Sequence, residues 1–262
     1  MTIQSSKVGT THESRPGVAD VEQHSVARAV VLALAPGVLL ATAFYLTGPL
    51  AIRAGYPPIF AGVVCAAIVI VGGELGWLLR EAHRQTGSWS IAPVLPYRPG
   101  PFTWRKALLV LGLIAWAFAV SMLGIGISIK DSFFTWMPQW ALNPISDSYA
   151  TTGSTTAPEV VTAVGFLVIL VILAPLVEEL YFRGYLMPRI GRFGAWAALI
   201  NVSLFAFYHL WKPWDSINLI IILAPMVYAV WRTKDIRIGI AVHIMLNGLA
   251  WTLNVAPTLL SS

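Results

Sequence analysis

Three short polar runs interrupt the apolar second half of the chain, and their residue types could do hydrolytic chemistry. Glu178-Glu179-Leu-Tyr-Phe-Arg183 ends one apolar run, Phe205-Ala-Phe-Tyr-His209 ends a second, and His243-Ile-Met-Leu-Asn247 lies within a third. Ionisable side chains inside apolar helices are costly, so each is read first as a candidate site. On an α-helix Glu179 and Arg183 are four residues apart, share a face and can pair. This pair also reads as an ordinary ion pair at a helix end. Glu178 is five positions from the arginine, about 140° round the helix, and is left without that partner. A free carboxylate in a low-dielectric site beside a second carboxylate suits general-base work near neutral pH. His243 and Asn247 share one helical face. Both can donate hydrogen bonds, which fits an oxyanion site better than a nucleophile. For these two, and for His209, a polar contact between helices is the plain alternative.

The elements that must carry these residues follow from composition. Of 262 residues, 57% are hydrophobic and 11% charged. A soluble fold has too much surface to cover with so few charges, and disorder is excluded by the apolar content. Seven uncharged stretches stand out: Ala29–Ile52, Ala54–Gly73, Ala107–Ile129, Val160–Val177, Phe193–Trp211, Ser216–Trp231 and Ile238–Ser262. Crossing a bilayer takes about 20 helical residues. Most stretches reach that length, and Ser216–Trp231 is the short one. The runs are continuous rather than alternating, which excludes barrel strands. The expected fold is all-α, a polytopic transmembrane helical bundle of about seven or eight spans, in an integral multi-pass membrane protein (of the cell membrane, if bacterial). Residues 1–25 read as a polar cytosolic tail with no apolar core of a signal peptide. The bundle occupies 26–262, with the motifs in 175–247.

With the N-terminus in the cytosol, fourteen of the 17 Lys and Arg residues fall on the cytosolic side, a strong positive-inside pattern. The net charge of +5 therefore calls for membrane lipid and not nucleic acid as partner. The single cysteine, Cys65, sits in an apolar run and reads as a buried, inert thiol. Glu74, close before Arg80 and Glu81, reads as a snorkelling or structural side chain. Span counting sets Glu178 near the cytosolic end of its helix and His209 about 22 Å deep. For both to act on one water, either the Glu178 helix continues past Arg183 or the turn at 212–215 dips into a protein-lined cavity.

The ordered set Glu178-Glu179-x-x-x-Arg183, Phe205-x-x-x-His209 and His243-x-x-x-Asn247 closely resembles the three motifs of the CPBP family, the CAAX proteases and bacteriocin-processing enzymes also called Abi proteins. The resemblance covers about Pro175–Asn247. It implies an intramembrane endopeptidase acting near the cytosolic face on a membrane-associated peptide or protein, prenylated or otherwise membrane-anchored. By that analogy Glu178 is the general base, working with His209 on the attacking water. Glu179 and Arg183 form the supporting pair, and His243 and Asn247 stabilise the oxyanion. A metal-free mechanism with no cofactor is favoured. Zinc is the alternative, held by Glu178, His209 and His243, although the His-Glu-x-x-His helix of the zincins is missing. A non-catalytic scaffold or immunity factor remains the second reading. A transporter is the third, disfavoured because no internal repeat is visible.

Overall fold

The computed structural model describes residues 21–145 and 156–260. Most of the polar tail and of the Thr/Ser/Gly-rich stretch before Ala157 thus lie outside the described residues. Seven principal helices are present: α1 Val26–Arg53, α2 Ile59–Thr86, α3 Trp104–Phe133, α4 Ala157–Phe193, α5 Trp196–Tyr208, α6 Pro213–Thr233 and α7 Ile236–Asn254. Among the described residues there is no strand. Six of the helices are long and apolar enough to cross a membrane.

The seven helices follow the seven apolar stretches in order, with one reversal. The stretch expected to be short extends to the 21 residues of α6, and Phe193–Trp211 instead yields α5, of 13 residues. At 1.5 Å per residue α5 reaches about 20 Å, less than the hydrocarbon core of about 30 Å. Local chemistry sets both of its ends. Gly194 takes a positive φ of 58° before it, and after Tyr208 the backbone leaves helical geometry at His209 and turns through Lys212-Pro213. Proline lacks the amide that a continuing helix would need.

The helix bearing the two glutamates does not stop at Val177. It runs 37 residues, to Phe193. Past the charges, Tyr181, Phe182, Tyr185, Leu186 and Met187 are all buried and keep the helix in the core. Glu178 consequently lies about 22 Å from the Phe193 end, in mid-helix. His209, one residue beyond α5, reaches the same depth, and the turn after it faces a protein-lined cavity through Lys212 and Trp214, so both of the routes that bring these side chains together are taken. Three segments, Ala67–Glu74, Phe166–Leu173 and Glu179–Leu186, wind as wide π-type turns. Such turns bond i to i+5 and recur at functional sites.

α5 is the central post. It packs on α6 and α1, and Asn201 Nδ2 donates to the Phe182 carbonyl of α4 at 2.9 Å. A Cβ on Gly37 of α1 would run into the backbone of Tyr208, so glycine permits the close approach of α1 to α5.

The cation-rich loops meet at one end. There Lys106 Nζ and Arg237 Nε bind the buried Asp235 at 2.7 and 2.8 Å, joining α3 to α7. Asp235 also caps α7, accepting from the Arg237 amide. Burial alone would raise the Asp235 carboxyl, but the hydrogen bonds from Arg237 and Lys106 win and hold it below the usual carboxylate range. Residues 91–100 close this end, with Val94 and Tyr97 buried and Arg189 Nη1 donating to the Val94 carbonyl at 3.1 Å. Residues 23–24 add a strap, through His24 N to Arg189 O at 2.8 Å and Gln23 Nε2 to Pro188 O at 3.0 Å. The opposite end is roofed by Gln139–Leu142, where Met137, Ala141, Leu142 and Trp214 form a small core.

Two outcomes check this packing. Gly37→Ala should lose about 1–3 kcal/mol through overpacking, read by thermal unfolding in detergent. Gly112→Ala, where a Cβ meets open space, should be neutral or stabilising; equal behaviour of the two would contradict the α1–α5 contact. The depressed Asp235 carboxyl contributes stability that is full above its unfolded pKa of about 3.9 and is lost as pH falls further. Asp235→Asn should therefore destabilise the protein at pH 7 and flatten its unfolding response below about pH 4. An unchanged acid profile would rule out the clamp.

Candidate active site

The side chains singled out by spacing come together. Glu178, His209, His243 and Asn247 all line one cavity of about 560 Å³ within the bundle. Glu178, Glu179, Arg183, His209 and His243 are buried, and Glu179 and Arg183 are fully so.

His243 sits between the two carboxylates. Its Nδ1 is 3.1 Å from Glu179 Oε1 and its Nε2 is 3.7 Å from Glu178 Oε2. A carboxylate only accepts, so Nδ1–H donates to Glu179 and fixes the ring. Arg183 Nη1 approaches the same Glu179 oxygen at 3.3 Å, the i,i+4 pair expected from the sequence. This contact is an ion pair rather than an aligned hydrogen bond. The guanidinium also stands over the Phe205 ring, 4.1 Å from its centroid, a cation–π contact that is strongest when desolvated. Glu179 thus does more than pair with arginine, since it also orients a second motif residue. The π-type winding from Glu179 onward relaxes the 140° separation of an ideal α-helix, and Glu178 feels Arg183 as well as His243.

His209 is set by the end of α5. Its Nδ1 is 2.8 Å from the Phe205 carbonyl, an acceptor, so Nδ1 carries the hydrogen and the neutral ring keeps a lone pair on Nε2. Asn247 Nδ2 donates to the Leu170 carbonyl at 2.9 Å. That bond uses one of its two N–H groups and leaves the other.

Glu74 takes the structural one of its two expected roles, and two further residues, Tyr208 and Gly239, escape a reading of the sequence. Glu74 does not snorkel. It is 2% exposed, and its carboxyl interacts with the Tyr208 hydroxyl and with Glu178. Tyr208 faces both carboxylates, short of hydrogen-bond geometry. An aromatic one residue before His209 carries no sequence signal of that role. Gly239 is the second. It lies four residues before His243, on the same face of α7, and a Cβ there would collide with Glu179 Oε2. Small size at the i−4 position of a motif histidine is the signal that could have found it.

The ligand types zinc takes are present in this cluster. Among the described residues, however, no three His, Cys, Asp or Glu side chains converge as a group that could hold a metal ion. The cavity also does not lead to the cation-rich end. It extends from the cluster toward Ala141, Leu142, Lys212 and Trp214.

Gly239→Ala should push the Glu179 carboxylate off His243. Cleavage activity should fall at least tenfold, with a stability loss of about 1–3 kcal/mol. Gly248→Ala, whose Cβ would make only ordinary contact with Val171, should change neither. Full activity of Gly239→Ala would show that Glu179 need not hold the ring.

Comparison with known proteins bears on these helices. Residues 160–249 match the family model described as type II CAAX prenyl endopeptidase Rce1-like. No curated protein and no solved structure matches the chain. The matched segment contains every residue of the three motifs. The chain is accordingly an integral, multi-pass membrane protein whose motif-bearing helices match the CAAX-protease family.

Proposed function

We propose that the chain hydrolyses a peptide bond of a membrane-anchored protein or peptide with a water activated by Glu178 and His209. The convergence of Glu178, His209, His243 and Asn247 on one largely apolar cavity supports this reading most directly. The Glu178 carboxylate takes a proton from the water as its oxygen attacks the scissile carbonyl carbon. His209 accepts the second water hydrogen at Nε2 and aims the attack, because Nδ1 is committed to Phe205. The oxyanion that develops faces the spare N–H of Asn247. It also faces Nε2–H of His243 in the imidazolium form, the form in which both ring nitrogens donate. Collapse breaks the C–N bond, and the proton held by Glu178 passes to the departing amine. Every transferred proton comes from the water, and no covalent acyl-enzyme forms.

Positioned general bases contribute about 10²–10⁴-fold, and single oxyanion donors about 10²–10³-fold. In reconstituted vesicles Glu178→Gln should lower cleavage of a lipid-anchored peptide at least about 100-fold, with the unfolding temperature preserved. Asn247→Ala should cost about 10²–10³ in kcat, and a chelator should have no effect. Loss of cleavage in chelator with recovery on adding zinc would overturn the metal-free route. Equal cleavage by wild type and Glu178→Gln would remove Glu178 from the reaction.

A further inference from the structure

The hydrolytic steps leave one buried acid unused. Glu74 lies in α2, at the end of a π-type segment that packs on residues 174–178 of α4. It is 2% exposed, and among the described residues it has no ion-pair partner. The polar groups it faces are the Tyr208 hydroxyl and the Glu178 carboxyl. Tyr181 also lies near it, but that hydroxyl donates to the Leu32 carbonyl at 2.9 Å. Both carboxyl oxygens of Glu74 and the Tyr208 hydroxyl are buried, and among the described residues none has a hydrogen-bond partner elsewhere. Buried polar groups are ordinarily paired, and these face one another. Neither Glu74 nor Tyr208 lines the cavity, whereas Glu178 does. The two stand behind that glutamate, away from anything held in the cavity.

Counting hydrogens orders the three groups. A tyrosine hydroxyl has one hydrogen to give, and an ionised carboxylate can only accept. Tyr208 faces two carboxyls. It can donate to one of them, and the other can bind its oxygen only by donating. Glu178 has the Arg183 guanidinium and the His243 ring near it, and Glu74 faces no cation. The charge without a partner is the costlier one to bury. The ionised member is thus Glu178, and Glu74 is the acid that keeps its hydrogen.

We infer that Glu74 and Tyr208 are positioning residues, a donor chain in which Glu74 donates to Tyr208 Oη and Tyr208 donates to one oxygen of Glu178. The chain fixes the plane of the Glu178 carboxylate and leaves its other oxygen toward the cavity. His243 at 3.7 Å is too far to do this by a hydrogen bond. The use made of Glu178 rests on the endopeptidase reading, but the order of donors does not.

Infrared difference spectra of the full chain in vesicles test that order without turnover. Glu74→Gln should remove the C=O band of a protonated carboxylic acid, and Tyr208→Phe should move that band to higher frequency. Loss of carboxylate bands in Glu74→Gln would make Glu74 an anion and overturn the chain. Cleavage of a lipid-anchored peptide tests the positioning. Tyr208→Phe and Glu74→Leu should each lower kcat about 10- to 100-fold, the range of one hydrogen bond to a charged group. KM should stay unchanged, since neither side chain reaches the cavity. The double variant should be no slower than Tyr208→Phe alone. Glu74→Gln keeps a donor and should rescue most of what Glu74→Leu loses. Tyr181→Phe removes a nearby buried hydroxyl outside the chain and should leave kcat in place. Additive losses, equal damage by Glu74→Gln and Glu74→Leu, or an equal fall with Tyr181→Phe would each overturn the inference, with thermal unfolding separating lost folding from lost positioning. Absence of cleavage by the wild type would count against the endopeptidase reading, and the infrared bands would still decide the order of donors.

Discussion

Two adjacent carboxylates in the middle of a membrane bundle need cations beside them, and this constraint organises the structure. Removing one ion from water into a low-dielectric interior costs several kcal/mol even after relaxation, and an unpaired charge left there is strongly destabilising. Glu179 meets the constraint with Arg183 on one side and His243 on the other. Phe205 covers the guanidinium face. Gly239 gives the Glu179 carboxylate room against α7. Glu178 is then left facing His243 at a longer 3.7 Å and opens onto the cavity. Glu179 is held closely by Arg183 and His243, and Glu178 is held loosely. That division leaves one of two neighbouring carboxylates facing the cavity, as the proposed function requires.

Depth depends on helix length. A 37-residue α4 carries its charges at mid-helix, and a 13-residue α5 ends at the same level, presenting His209 from an irregular turn. Non-helical backbone at such depth is tolerated where protein surrounds it, and here Tyr45 donates to the Trp211 carbonyl at 3.1 Å. The Asp235 clamp and the 91–100 segment seal one face, and the cavity extends toward the other. Sealing, charge pairing and the short helix act together, since a longer α5 would carry His209 past Glu178.

Much of this is legible in the sequence. Spacings of four put Glu179 beside Arg183 and His243 on the face of Asn247, and continuous apolar runs mark the helices in order. The end of α4 is not legible, because charges ordinarily close an apolar run and nothing in Glu178-Glu179 says that their partners lie on α7. For Glu74 the sequence leaves two roles open, as hydropathy cannot tell a side chain that snorkels from one that faces Tyr208. The π-type turns leave no periodic signature. The cavity's direction arises from how the helices pack, a tertiary property that local pattern does not encode.

The most direct test of the central claim is single-turnover cleavage in H₂¹⁸O, with mass spectrometry of both the product and the Glu178-containing fragment of the enzyme. Direct attack by activated water predicts one ¹⁸O in the new carboxyl group of the product and none in the Glu178 side chain. Label appearing in Glu178 would mean that the carboxylate itself attacked and was then hydrolysed, which would contradict the account.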